Sequence, residues 1–149
     1  MAAGPAVAAS VPESNLIAEH LPPHTNFYDQ WSEVGTRPLD DVGINVDRHT
    51  KRAEVVVNNK CFGTYRFSLL GPSFRQSNFA IVHVPVRRGR LAFIGEVAVD
   101  RGMNDVEGRR VEMRLAAKVT AKAISGRVSF PATSCPRIRF VAPLRRQTK

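Results

Sequence analysis

Four cations recur at every fourth position of one segment: Arg110, Arg114, Lys118 and Lys122. Between them, Val111, Met113, Leu115, Ala117, Val119, Ala121 and Ala123 take the odd positions, with Ala116 and Ile124 breaking the pattern. Alternation over fifteen positions predicts a strand that turns an apolar face inward and a cationic face outward. Successive cations would stand about 13 Å apart, with Glu112 the only acid among them. The residue types (Ala, Met, Leu, Glu, Arg, Lys) are good helix formers, but a helix misplaces Met113 and Ala121. A bulge near Ala116-Ala117 would let so long a strand bend.

Three further clusters share the sign. Arg87, Arg88 and Arg90 sit at an expected hairpin tip, Arg137 and Arg139 flank Ile138, and Arg145, Arg146 and Lys149 close the chain. A guanidinium forks onto phosphate oxygens. Such an array supplies charge-based affinity for a nucleic-acid backbone without reading bases. Phe93, Phe130 and Phe140 lie near the cations but suit a core as well as a stacking platform, so base stacking is not expected.

Signatures of other chemistry are missing. The chain has no G-x-S-x-G, H-E-x-x-H, G-x-x-x-x-G-K-[ST] or G-x-G-x-x-G. His20 and His24 have the spacing of two ligands on one helix face, but Pro22 and Pro23 between them preclude that helix. His83 lies in a valine-rich run and reads as structural. Neither Glu107 with Glu112 nor Asp100 with Asp105 is held at a working acid–base distance by its spacing. The expectation is a non-enzymatic protein with no catalytic residues, metal, cofactor or small-molecule substrate.

The charge is split along the chain. Residues 1–50 hold seven acidic and two basic side chains, and residues 51–149 hold six acidic and twenty basic, giving +9 overall. That asymmetry points to a polyanionic partner. Arginine outnumbers lysine seventeen to five. Cys61 and Cys135 show no metal-ligand spacing and read as two free thiols of a reducing compartment, with one disulfide as the alternative. No basic leader or long apolar run is present, so the expected location is cytoplasm or nucleus, or a virion assembled there, without secretion or a transmembrane segment.

The elements that must position these groups are short strands. Val42, Ile44 and Val46 alternate, Val55-Val56-Val57 is β-branched, and Val82, Val84 and Val86 share a face. Arg87–Arg90 then turns the chain into Leu91–Val99. Pro85 suggests an edge position. Turn signals every eight to twelve residues predict a mainly β chain: an antiparallel β-sandwich, jelly-roll or partly closed barrel. Residues 1–36 read as a flexible, helical, acidic arm, 37–143 as the basic β-domain and 144–149 as a disordered basic tail. Within the arm, Phe27, Trp31 and Val34 make a helical stripe over Thr25–Val34, and Phe27, Tyr28 and Trp31 are candidates to dock on a partner.

A small basic β-domain with an acidic arm is similar to virus-encoded coat, matrix and plant-virus movement proteins. Gly89–Met103 resembles the movement-protein strand that ends in an aspartate, here Asp100. The resemblance spans fifteen residues and transfers no residue role. The functional expectation is a structural or transport component that binds nucleic acid, RNA rather than DNA, and forms a homo-oligomer. The alternatives are a protein-interaction module or a peripheral protein on anionic membrane.

Overall fold

The computed structural model describes residues 21–30, 41–66, 75–77, 79–100 and 109–149. Eight strands form one closed antiparallel barrel: β1 (Thr25–Gln30), β2 (Asp41–Asp47), β3 (Arg52–Asn58), β6 (Phe79–Pro85), β7 (Arg90–Asp100), β8 (Arg109–Val119), β9 (Ala123–Ser129) and β10 (Ile138–Gln147). Each pairs with its neighbour in the order given, and β10 returns to β1. Between β3 and β6 the chain makes a 3₁₀ turn (Lys60–Phe62) and a two-stranded excursion, β4 (Thr64–Arg66) with β5 (Arg75–Ser77). Mainly β and antiparallel is what the alternation implied. A sandwich or jelly roll is overturned, because the sheet closes on itself.

Alternation decides which side chains fill the interior. Val42, Ile44 and Val46 of β2 stand opposite Val57, Val55 and Ala53 of β3, which stand opposite Ala80, Val82 and Val84 of β6. On the far wall Leu91, Gly95 and Val97 face Ala117, Met113 and Val111. Leu115 and Val119 face Val128 and Ile124 of β9. These inward apolar residues form a single buried cluster with Tyr28, Phe62, Phe130, Phe140 and Ala142. An eight-stranded barrel is just wide enough for side chains to fill.

The helical arm is not supported. Thr25–Gln30 is strand β1, in register with β2 through Tyr28↔Ile44 and Gln30↔Val42. The helical stripe loses to tertiary pairing: without β1, neither β2 nor β10 has a partner on that side. Phe27 and Tyr28 are buried at 3% and 2% exposure, so their side chains are not available to a partner. Trp31 lies outside the described residues. The expected basic tail is also strand, since β10 runs to Gln147 and pairs with β1 through Asn26↔Gln147 and Phe27↔Arg146.

Closure of the ring is short and irregular, with a register shift between Phe27 and Tyr28. Side chains complete it. The Arg48 guanidinium donates to Asn26 Oδ1 at 2.7 Å and to the Thr148 carbonyl at 2.5 Å. Thr148 Oγ1 accepts the Thr25 amide at 2.8 Å, and Gln30 Oε1 accepts the Val141 amide at 2.6 Å. The wall is also incomplete between β6 and β7, which pair at Phe79↔Asp100 and Ala80↔Val99, part, and rejoin at Arg87↔Arg90. Pro85 lies on the parted segment, where its missing N–H leaves no ladder bond unmade.

Two turns differ from the sequence reading. The long alternating segment ends at Val119 rather than Ile124, because the Thr120 amide and hydroxyl both bond the Ala123 carbonyl, at 2.9 Å each. No bulge occurs at Ala116-Ala117, where pairing with both neighbours is continuous. At Gly126 of β9 the two strands approach closely: a Cβ there would collide with the Ala116 carbonyl oxygen and come within 2.6 Å of Ala117 Cα.

Cys61 and Cys135 are joined, Cα to Cα 5.6 Å, which overturns the reading of two free thiols. The bond reaches from the 3₁₀ turn after β3 to the loop between β9 and β10. Those strands are diametrically opposite in the ring. Beneath it Phe62 and Phe130 meet edge to face, centroids 4.7 Å apart. This end of the barrel is therefore lashed and plugged.

Two predictions follow from these features. Replacing both cysteines by alanine removes a cross-link over 74 residues and should lower unfolding stability by about 2–5 kcal/mol, read by denaturant titration. The turn after β2 is held by Asp47 Oδ1, which accepts the His49 and Thr50 amides at 2.8 and 3.1 Å. The Thr50 and His49 amides hold the Asp47 carboxyl below its ordinary value of 3.8. A carboxyl depressed by folding contributes stability above its unfolded pKa and loses it as pH falls through the folded one. Stability should therefore decline below about pH 4, and Asp47→Ala should remove that part of the decline.

Candidate polyanion-binding face

Inward alternation forces the remaining positions outward, and on β7 through β10 those positions carry cations. Three rows cross the sheet. In the first, Arg90 stands opposite Lys118, which stands opposite Ser125. In the second, Ala92 and Ala116 lead to Arg127, which stands opposite Arg139. In the third, Ile94 stands opposite Arg114, and Arg114 opposite Ser129. Rows on one face lie about 6.6 Å apart along the strands. Arg137 precedes β10 by one residue, and together with Gly126, Arg127 and Arg139 it lines an open cleft of about 420 Å³.

Three like-charged pairs thus stand directly opposite each other on this wall: Arg90 with Lys118, Arg127 with Arg139 and, in the row after the third, Glu96 with Glu112. Opposed Cβ atoms are about 4.5–5.5 Å apart, where like charges destabilise a sheet. Arg90, Lys118, Arg127 and Arg139 form no ion pair among the described residues, and all four are exposed.

The hairpin at the lower edge of this face extends it. Arg88 and Gly89 have φ of 51° and 70°, both left-handed, as a two-residue type I′ turn requires. Arginine is an unfavourable occupant of that turn, where Asn or Asp is usual. Arg87 and Arg88 are exposed at its tip. Lys122 is also exposed and lies in the neighbouring β8–β9 turn, not on the face of β8 where the sequence placed it.

Other expected contacts are less available. Arg110 Nε is 3.3 Å from Glu96 Oε1, and Arg114 Nε donates to Glu112 Oε2 at 2.9 Å. The Arg145 Nε donates to the Asp29 carbonyl at 3.0 Å beside the β1 seam, and Arg146 stands opposite Phe27. Neither belongs to the β8–β10 face. Arg127 was missed in the sequence. Its signal was the alternation of Ile124, Gly126 and Val128 with Ser125 and Arg127, obscured by the small Gly126.

The opposite wall carries a different constellation. Glu54 Oε1 accepts from Asn45 Nδ2 at 3.3 Å, and Glu54 Oε2 lies 3.2 Å from His83 Nε2. His83 is thus partnered across adjacent strands. No group of three His, Cys, Asp or Glu able to hold a metal occurs among the described residues.

Comparison with protein-family models, with curated proteins and with solved structures yields no match to this chain.

If the opposed arginines serve a ligand rather than the fold, removing one should stabilise the free protein. Arg139→Thr should raise unfolding stability by about 0.3–1 kcal/mol at low salt. The gain should shrink in high salt, where the repulsion is screened.

Proposed function

We propose that the protein is a non-enzymatic β-barrel that binds the phosphate backbone of nucleic acid, largely without regard to sequence. The observation that carries this reading is the arginine pair Arg127↔Arg139, together with Arg90↔Lys118, on one continuous face with no carboxylate between them. A face shaped only for solubility gains nothing from opposing like charges. Such pairs become favourable when an anion lies across them. Arg87, Arg88 and Lys122 would extend the track at the hairpin edge, and Arg137 at the far end. The absence of an aromatic side chain from the three rows argues against base stacking and for backbone contact alone.

The disulfide shapes the setting. A bond such as Cys61–Cys135 persists where the surroundings are oxidising. We therefore move the proposed site of action from the reducing cytoplasm or nucleus to an oxidising compartment or an assembled particle. A structural or transport role in a particle, with several copies presenting the same face, fits that setting. RNA is the first ligand to try, ahead of DNA.

Filter binding of single-stranded RNA and DNA across a salt series tests the proposal. With four to eight phosphates neutralised, log affinity against log salt should fall with a slope of about −3 to −6. Heparin should compete. Binding insensitive to salt, or no binding, would overturn the reading. Retention on anionic vesicles with no retention of RNA would favour a membrane surface instead.

A further inference from the structure

We infer that the cleft between Arg127, Arg137 and Arg139 takes the phosphomonoester end of a nucleic-acid strand. The inference rests on the reading of this face as a nucleic-acid surface and names the group its most concentrated point would accept.

The argument begins with charge. Arg127 and Arg139 are fixed opposite one another on adjacent strands, and Arg137 lies two residues before Arg139. No acid lines the cleft among the described residues. On the same wall, Glu112 pairs with Arg114 and Glu96 with Arg110. Three guanidinium groups around one opening exceed what an internal phosphodiester can balance. A diester carries one negative charge and two free oxygens. A monoester carries about −1.5 to −2 at pH 7 and three free oxygens. Each of those oxygens can accept from a guanidinium, so the terminal group satisfies three forks where the diester leaves one over.

Size agrees. At about 420 Å³ the cleft is larger than a phosphate and falls within the range of small-ligand sites. It is open to solvent, so a phosphate can enter with the rest of the strand left outside. Among the described residues the lining contains no aromatic ring, so the end would be held by its phosphate and its base left unread.

The third arginine is also held in place. The loop before it folds on itself, with Thr133 Oγ1 donating to the Phe130 carbonyl at 2.7 Å and accepting the Cys135 amide at 3.1 Å. Cys135 is bonded to Cys61, two residues before Arg137. A guanidinium on an anchored segment loses less freedom when it closes on a ligand than one on a loose loop.

The test compares one RNA oligonucleotide in three forms: 5′-phosphorylated, 3′-phosphorylated, and hydroxyl at both ends. Inorganic phosphate serves as competitor. At least one phosphorylated form should bind five-fold or more tightly than the hydroxyl form, and inorganic phosphate should erase the difference. Arg127→Ala and Arg139→Ala should each abolish the preference, and Arg127→Lys should reduce it by keeping the charge without the fork. Arg88→Ala, at the hairpin tip, should weaken all three forms alike. Equal binding of the three forms by the unaltered protein overturns the end-binding site and leaves the surface reading standing. Loss of preference in Arg88→Ala as readily as in Arg127→Ala would also overturn it. Failure of every oligonucleotide to bind overturns both. All the variants alter exposed positions on the outer face, and thermal melts in circular dichroism establish that each is folded.

Discussion

A closed eight-stranded barrel with a packed interior leaves a charged side chain only one direction in which to point. That constraint organises the whole molecule. Ile44, Leu91, Met113, Ile124 and Val128 fill the interior and are essentially inaccessible. Burying an unpaired cation among them would cost several kcal/mol or more. Each strand must therefore place its apolar set inward, and a slip by one residue would exchange the two faces. Once the ring closes, the cations of β7 to β10 are gathered on one outer wall with no further choice. Closure depends on β1, which has only six residues. Its partial ladder is completed by side chains from outside the strand, Arg48 chief among them. Distant parts of the chain thus determine whether the cationic wall exists.

How much of this was legible follows from range. Val42–Val46, Val82–Val84 and Val111–Val119 carry their own period-two signal, Val55–Val57 is β-branched, Leu91–Val99 follows a turn signal, and each lies in a strand. The type I′ hairpin at Arg88-Gly89 was also readable, through its glycine. Longer-range facts were not. Thr25–Gln30 holds an i, i+4 aromatic spacing that suits a helix, and it is strand only because β2 and β10 offer it hydrogen bonds. Cys61 and Cys135 meet because β3 and β9 lie across the ring, which no local spacing records. Of the site, the outward set on β8 was legible but its neutralisation was not. Glu96 lies on β7, so its pairing with Arg110 needs the register. Arg127 acquires its meaning only when β9 is laid beside β10.

The same register separates two kinds of arginine. Arg110 and Arg114 sit beside carboxylates at 3.3 and 2.9 Å and behave as an ordinary solvated face, where exposed pairs contribute about 0–1 kcal/mol each. Arg48 and Arg145 hold backbone carbonyls and belong to the closure. Arg127, Arg137 and Arg139 do neither. Arg127 and Arg139 stand directly opposite, where like charges are unfavourable, and Arg88 takes a left-handed backbone at the hairpin tip. The disulfide and the plugged end of the barrel offset such costs from elsewhere in the fold.

An alternative is that these arginines are merely tolerated. Tolerance predicts a random scatter of unpaired cations over every outward position of the barrel. The outward positions of the opposite wall contradict that. There, Asp47 stands opposite Arg52, and Glu54 is held by Asn45 and His83, so charge is matched within the sheet. On the cationic wall charge is matched at Arg110 with Glu96 and Arg114 with Glu112, and opposed at Arg127 with Arg139 and Arg90 with Lys118. The difference lies in what each pair is left to meet. The opposed pairs Arg127–Arg139 and Arg90–Lys118 have no carboxylate beside them among the described residues, and they are the positions that the proposed anion would occupy.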